Sequence, residues 1–574
     1  MQNPYEEEHD TGDVLLGRGA CCAVIAVFVL IILLPPLYRN VYEASVGGED
    51  AWVPVTQAFR KPPGEKITDH LNSFENELED RAGFTEPPRQ AVQATLSGIF
   101  REGNRKTFIG RDGWLYLKPA LDSLTGYGPL EPEPDSVAKD PNRAPWGAPL
   151  EAIKTFAGQL EELGVKLVLV PIPVKPMIYP EPITGKESDA PIQHRDAAEF
   201  YRQIEALPNA SVIELADAFW AEKSKVQVFL KQDTHWTPAG MQIAASEVAM
   251  RYASATRTSW TIAAPTQVEN IGDLVEQLEL PGDGHGKYAP ERVEIEVVEG
   301  FAPDPTADIT LLGDSFTNIY SSESLNWGEG AGFAQHLAFK MGRPLDVIAI
   351  NGQASTGVRK ELAKRGKEHL KKKQVVIWAI AARDLFLSET TARQNSVEWE
   401  DVAIPDIPDG LATQPGGGTL TIRATLLAKS SVVDPSTVTY KNAIFVCEYR
   451  VDEVLGGNYS GETILVKHWA FRDKQLSTAS RRELDTGVTL ELVPFEAKPE
   501  LASEQGFDDF DEDVEKMLAP RFWAMGEAEE VADTSDPARA NLLATAACLL
   551  ATILVIGIAN RLRRLPVEAD SHGH

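Results

Sequence analysis

Asp308-Ile309-Thr310-Leu311-Leu312-Gly313-Asp314-Ser315 (DITLLGDS) begins as an apolar run and closes on a turn that carries a hydroxyl. Apolar residues follow one another without the polar alternation of a half-exposed strand. This pattern predicts a strand buried on both faces, as in a parallel sheet covered by helices. Four more runs of the same kind flank it: Lys166 to Ile172 (KLVLVPI), Ser211 to Leu215 (SVIEL), Asp346 to Ile350 (DVIAI) and Gln374 to Ile380 (QVVIWAI). Separated by helix-like or irregular segments, the five runs predict a three-layer α/β domain with a mainly parallel sheet. Open sheets of this kind gather ligands at the carboxyl ends of their strands, so Ser315 is predicted where chemistry is done. Gly313 permits the sharp turn, and N–H groups after the strand can face an oxyanion.

A serine hydroxyl is a poor nucleophile until a base takes its proton, and a carboxylate fixes the tautomer of a histidine base. Upstream, Asp233-Thr234-His235-Trp236-Thr237-Pro238 (DTHWTP) supplies both types. If the stretch is extended, residues two apart share a face, so Asp233 and His235 can enter one cleft. Ser315, His235 and Asp233 are therefore the candidate catalytic residues. Gly-Asp-Ser is also a common strand-to-loop turn, and the second motif also reads as a helix start, with Asp233 or Thr237 as cap and Pro238 at the first helical position.

These two motifs do not stand alone. With Gly110 to Tyr116 (GRDGWLY), Pro171 to Lys175 (PIPVK) before Tyr179-Pro180, Gly272-Asp273-Leu274, and Ile377-Trp378 followed by Arg383-Asp384-Leu385, the chain resembles the AlgJ/AlgX family of SGNH-hydrolase-like alginate O-acetyltransferases, from about Val55 to Leu387. The resemblance implies an SGNH-hydrolase-like domain that transfers acetyl groups to hydroxyls of an exported polysaccharide. Ser315 would carry the acetyl group, His235 would act as base and acid, and Asp233 would orient it. The order Asp, His, Ser is a permutation of ordinary SGNH esterases, which a triad defined by spatial roles tolerates. The glycine and asparagine that complete an SGNH oxyanion hole have no clear counterpart. Asn351 and Gly352, after the fourth strand, are the positional candidates.

Other residues carry two readings each. Lys175, Trp236 and Arg359 are candidate substrate contacts: Lys175 follows a strand end, Trp236 (like Trp114) can stack on a sugar ring, and Arg359 opens the basic stretch Arg359 to Lys373 (RKELAKRGKEHLKKK). A loop lysine, core tryptophans and a solvated helix face are the plainer alternatives. His336 lies in an apolar helical pattern and reads as a helix residue. Gly282 to Lys287 (GDGHGK) lacks phosphate-loop spacing, so nucleotide binding is rejected. No cofactor and no metal are expected, because the histidines show no paired ligand spacing apart from His572 and His574.

The whole chain has 574 residues, enough for two or three domains at roughly 100 to 200 residues each. Its 55 basic and 85 acidic residues leave a formal charge of −30, which argues against nucleic acid as a partner. A hydrophobic content of 43% excludes wholesale disorder. The charge would also repel a polyuronate. Either a local basic groove overrides it or the glycan is neutral.

Gly19 to Tyr38 and Ala540 to Asn560 are uncharged and long enough for a bilayer core of about 30 Å. Acidic residues before the first segment, and no small-residue cleavage pattern within it, disfavour a signal peptide. Arg561, Arg563 and Arg564 predict a cytoplasmic C-terminus, which sends the region between the spans out of the cytoplasm. Cys447 is the only cysteine there, so a disulfide scaffold and a cysteine zinc cluster are excluded.

The expected order is a cytoplasmic tail (1–18), an anchor (19–38), the α/β domain (39–400) and a linker (401–418) rich in Pro and Gly. A small antiparallel barrel or sandwich (419–500), an acidic solvated segment (501–539), a second span (540–560) and a tail (561–574) follow. The expected location is the cell inner membrane with the catalytic domain facing the periplasm. Because acetyl-CoA is cytoplasmic, the resemblance implies a membrane-bound O-acyltransferase partner as acetyl donor. Two other functions stay open: a polysaccharide acetylesterase with the same triad, and a non-catalytic glycan-binding scaffold of a secretion complex.

Overall fold

The computed structural model describes residues 86–526 apart from 134, 140–147, 254–258, 282–284, 387–396, 398, 408–417, 434, 436–437, 439 and 511–513. Two compact units are distinguished, Met1–Val92 with Asp533–His574, and Gln93–Ala532. The first contributes only the opening of the helix Glu86–Thr95 to the described residues. Both apolar spans lie outside the described residues, among which no helix is long and apolar enough to cross a membrane.

Five strands form the central sheet of the second unit: β1 (Lys166–Ile172), β2 (Ala210–Val212), β3 (Ile309–Gly313), β4 (Asp346–Ala349) and β5 (Val375–Ala381). Their order is β4-β3-β5-β1-β2 and every pairing is parallel. The run-on apolar pattern has its cause in two separate cores. Val168, Val170, Leu311, Ile377 and Ala379 face one side, where α3 (Pro238–Tyr252) and α5 (Phe333–Met341) pack. Leu167, Leu169, Leu312, Val376 and Trp378 face the other, against α1 (Ala148–Glu162) and α2 (Ala197–Glu205). Alternate residues of each strand are thus apolar for different partners. The α/β packing continues past residue 400: Trp399, Val402 and Ile404 are buried in the second core, and Gln159 on α1 bonds Val402 O and Ile404 N.

Beyond the linker, β6 (Leu420–Lys429), β7 (Ala443–Gly456), β8 (Thr463–Arg472), β9 (Gln475–Leu476), β10 (Gly487–Pro494), β11 (Gly506–Phe507) and β12 (Arg521–Met525) form a second sheet. Successive pairings β8-β12-β10-β6-β7 return to β8, so five strands close into a barrel. Closure uses a strand from the expected acidic segment, and the β8–β12 and β7–β11 pairings are parallel, so the barrel is mixed. Among the described residues of that segment Asp508 is not solvated: it pairs with Arg521 at 3.0 Å and lies 3.5 Å from Lys364.

Candidate active site

The DTH turn is the tip of a narrow hairpin. Phe229 bridges Trp236, Leu230 N–H donates to His235 O, and Thr237 N–H donates to Val228 O. Thr237 ends it by capping α3, its hydroxyl accepting from Gly240 N at 3.2 Å with Pro238 at the first helical position. Of the two expected caps the structure uses Thr237, which frees the Asp233 carboxylate for other partners. On the opposite side, β3 ends at Gly313, and Asp314 accepts from Phe316 N–H at 2.9 Å to start the short helix α4 (Ser315–Asn318). Ser315 is left half-buried at the carboxyl edge of the sheet.

The three candidate catalytic side chains meet there. Asp233 Oδ1 lies 2.7 Å from His235 Nδ1, and His235 Nε2 lies 2.8 Å from Ser315 Oγ. An ionised carboxylate only accepts, so Nδ1 carries the proton and Nε2 is left to accept from the serine hydroxyl. Burial alone would raise the Asp233 carboxyl, but hydrogen bonds from His235 and Trp327 outweigh it and hold it low. Burial likewise opposes a charged His235, yet the Asp233 bond and charge raise the imidazole above its ordinary value. The other carboxylate oxygen, Oδ2, accepts from Trp327 Nε1 at 3.0 Å and from Asp273 N–H at 3.2 Å.

Of the oxyanion candidates, Asn351 is buried and its Oδ1 accepts from Asn318 Nδ2 at 2.9 Å, an orientation fixed by α4. Its backbone N–H is spent on Ser503 O at 2.9 Å, a residue of the barrel region. Of the two Asn351 donors, the side-chain amide is therefore the one left for an oxyanion. Gly352 has φ +70 and faces Gln505 Oε1, with which an added Cβ would collide at 2.7 Å.

All three candidate substrate contacts are corrected by burial. Lys175 is 3% exposed, its ammonium donating to Leu115 O at 2.7 Å and Lys231 O at 3.1 Å. Trp236 is fully buried among Phe316 and Phe333, and Tyr320 Oη donates to its carbonyl. Arg359 is 1% exposed between the rings of Trp378 and Trp399 and donates to Ser355 O and Glu400 O. Trp114 is also core, set 4.4 Å from the Tyr179 ring. His336 behaves as a helix residue, buried against Glu296 O. Lys373, at the end of the basic stretch, is buried on Asp346 at 2.8 Å, while Glu368, Lys371 and Lys372 are exposed, so that stretch is a solvated face only in part.

Three residues around the site escaped the sequence reading. Trp327 lies between turn formers, Asn326 at φ 59 and Gly328 at φ 91, and nothing local marks its indole as a carboxylate partner. Asp273 appears only within a family motif. Arg383, directly after β5, places its guanidinium carbon 5.7 Å from the Phe316 ring centre and leaves Nη1 buried without a partner. Among the described residues, Asp233, His235 and Asp273 form one grouping with metal-ligand atoms within 4.8 Å of each other. Most of their ligand atoms are already committed: Asp233 to His235 and Trp327, His235 Nε2 to Ser315, and Asp273 Oδ1 to Thr234 N–H.

Comparison with known proteins gives a consistent result. Residues 108–382 match the family of the SGNH hydrolase-like domain of the acetyltransferase AlgX. A probable alginate O-acetylase AlgJ of Pseudomonas syringae pv. tomato is 33% identical over 153 residues, 26% of this chain and 34% of that protein. The Pseudomonas aeruginosa counterpart is 30% identical over 180 residues, 30% of this chain and 40% of its own. The matched region thus spans well under half of these relatives. Among solved structures, the O-acetyltransferase domain of Pseudomonas putida AlgJ aligns with 49% of this chain and 92% of its own at 23% identity and a TM-score of 0.37. Pseudomonas aeruginosa AlgX aligns with 67% of this chain and 90% of its own at 15% identity and a TM-score of 0.36.

Proposed function

We propose, from the match of residues 108–382 to the family of the SGNH hydrolase-like domain of the acetyltransferase AlgX, that the chain is an O-acetyltransferase acting on hydroxyls of an exported polysaccharide. The observation that carries the reading is the unbroken hydrogen-bond chain from Asp233 through His235 to Ser315, at 2.7 and 2.8 Å. His235 Nε2 takes the Ser315 proton as Oγ attacks the acetyl carbonyl. The tetrahedral oxyanion is met by the Ser315 N–H and the Asn351 side-chain amide. Collapse breaks the bond to the donor, which leaves with the proton from His235, and an acetyl-serine remains. A sugar hydroxyl then gives its proton to His235 and attacks that ester, and Ser315 leaves as the alcohol.

The apolar segments at 19–38 and 540–560 would hold the domain at the outer face of the inner membrane, in the periplasm. A membrane-bound O-acyltransferase would deliver acetyl groups there. Arg383 would supply positive charge beside the nucleophile within a chain of net charge −30.

The test is incubation of the protein with an acetyl ester of a chromogenic phenol, with and without oligosaccharides, for wild type and Ser315→Ala. Expected are phenol release and an acetylated serine peptide in wild type only, and acetyl on the sugar by mass spectrometry. Acetate alone would make the protein an esterase. Equal inertness of both proteins across donors would leave the scaffold reading.

A further inference from the structure

The acyl-transfer steps use one carboxylate, yet three carboxylates and a buried ammonium surround the turn that carries Asp233 and His235. The backbone of this turn is held by acidic side chains at nearly every donor. Lys231 N–H and Gln232 N–H go to the two oxygens of Glu291, at 2.9 and 2.6 Å. Thr234 N–H goes to Asp273 Oδ1 at 2.7 Å, and His235 N–H returns to Asp233 Oδ1 at 3.0 Å. Asp273 answers with its own N–H, 3.2 Å from Asp233 Oδ2, so the two aspartates hold each other's loops reciprocally. The contact is close: a Cβ at Gly272 would lie 2.2 Å from Gln232 O, so no side chain fits there. The Lys175 ammonium donates to Lys231 O within the same turn, which explains a lysine with no access to solvent. A buried cation beside three anions offsets their repulsion and lets the carboxylates stay paired with N–H donors.

We propose that Asp273 is a positioning residue for the Ser315–His235–Asp233 array, its carboxylate anchoring the catalytic turn through Thr234 N–H while its charge, balanced by Lys175, strengthens the field at the imidazole. This rests on the triad reading above. The charged groups facing the imidazole and Asp273 are Asp233 on the turn, Glu291 on the strand Glu291–Ile295, Lys175 after β1, Asp314 after β3 and Arg383 after β5. Burial and the Asp233 charge raise the Asp273 carboxyl above the ordinary aspartate range. When ionised, Asp273 favours the imidazolium, as Asp233 does, and Arg383 opposes both.

The experiment measures the rate of Ser315 sulfonylation by phenylmethylsulfonyl fluoride in the full chain across the pH range in which imidazole titrates. This readout needs an activated serine but no acetyl donor and no glycan. Asp273→Ala is expected to lower the plateau rate roughly 10- to 100-fold, because a buried N–H loses its anionic partner. Asp273→Asn keeps an oxygen for Thr234 N–H and is expected to recover most of that loss. Both variants should move the acid limb to lower pH, because an anion beside the imidazole is gone, and Lys175→Met should move it to higher pH. A merely structural Asp273 would lower the melting temperature and leave the midpoint of the limb in place. Wild-type plateau and midpoint in folded Asp273→Asn and Asp273→Ala would overturn the proposal while leaving the triad intact. A wild type inert to the reagent would overturn both readings.

Discussion

The turn Lys231–His235 and the helical stretch Arg359–Lys373 both concentrate charge inside the protein, and they end in opposite roles. In the stretch, the inward-facing cations run into closed pairings: Asp346 Oδ2 receives Lys373 and Arg365, and Arg359 is spent on carbonyls between two tryptophans. In the turn, Asp233 is surrounded just as fully, but its network continues through His235 and ends on Ser315 Oγ, the half-buried atom at the cleft. Buried charge with no open end stabilises; buried charge whose last link meets the cleft can do chemistry. The difference lies in one unshared direction.

That contrast breaks if substitutions in the two regions have the same phenotype. The largest expected effect belongs to the turn: Asp233→Asn loses the acceptor that fixes the His235 tautomer, and kcat/KM for a chromogenic acetyl ester falls roughly 10³- to 10⁴-fold, with the fold retained by circular dichroism. Next comes the stretch, where Asp346→Asn takes the anion from Lys373 and Arg365, leaves Lys373 only Pro305 O and Ala307 O, and costs about 3–5 kcal/mol of stability in denaturant titration, with kcat of the folded fraction within a factor of about three. The Asp346 carboxyl is held below its ordinary range: burial opposes this, but pairing with His369, Arg365 and Lys373 prevails. Its contribution is therefore present above the unfolded carboxyl pKa and is lost as pH falls through the lower folded value. The variant should accordingly lack part of the acid-induced loss of stability seen in wild type below about pH 4.

A smaller effect separates packing from recognition. Arg359→Leu should lower stability by about 2 kcal/mol through lost hydrogen bonds and ring contacts, while KM for an acetyl-accepting oligosaccharide stays at the wild-type value. A raised KM with unchanged stability would return Arg359 to the substrate. Smallest of all is Trp327→Phe, which removes one donor to Asp233 Oδ2 and should reduce kcat/KM roughly fivefold. The pH profile sharpens the comparison. His235 must be neutral to act as base and its pKa is raised, so activity should fall as pH drops through a midpoint above the ordinary value of about 6.5.

Much of the fold was legible because it is written in local pattern. All five apolar runs are strands, with ends displaced by at most three residues, since strands buried on both faces admit little besides Val, Ile, Leu and Ala. The pairing of Ser315 with His235 was legible from the chemical needs of a nucleophile. The DTH stretch turned out to be a hairpin tip, yet Asp233 and His235 still share a side because the carboxylate folds back onto His235 N–H. The substrate readings of Lys175, Trp236 and Arg359 fail for one shared reason, and for Trp236 the plainer reading as core holds. A charged or amphipathic residue beside a motif looks solvent-facing until distant segments supply its partners, here Leu115 O for Lys175 and Trp399 for Arg359.

By itself the sequence determined the parallel three-layer sheet, the serine at its carboxyl edge and the residue types of the triad, because periodicity and turn chemistry act over a few neighbours. Only the tertiary structure decided that Asp273, Trp327 and Lys175 meet the turn that carries Asp233 and His235, and that the barrel closes through a strand from the acidic segment. Those contacts join residues 40 to 94 positions apart around Asp233, as in the Asp273 and Trp327 bonds, and whether a buried charge is satisfied depends on which distant donors converge on it.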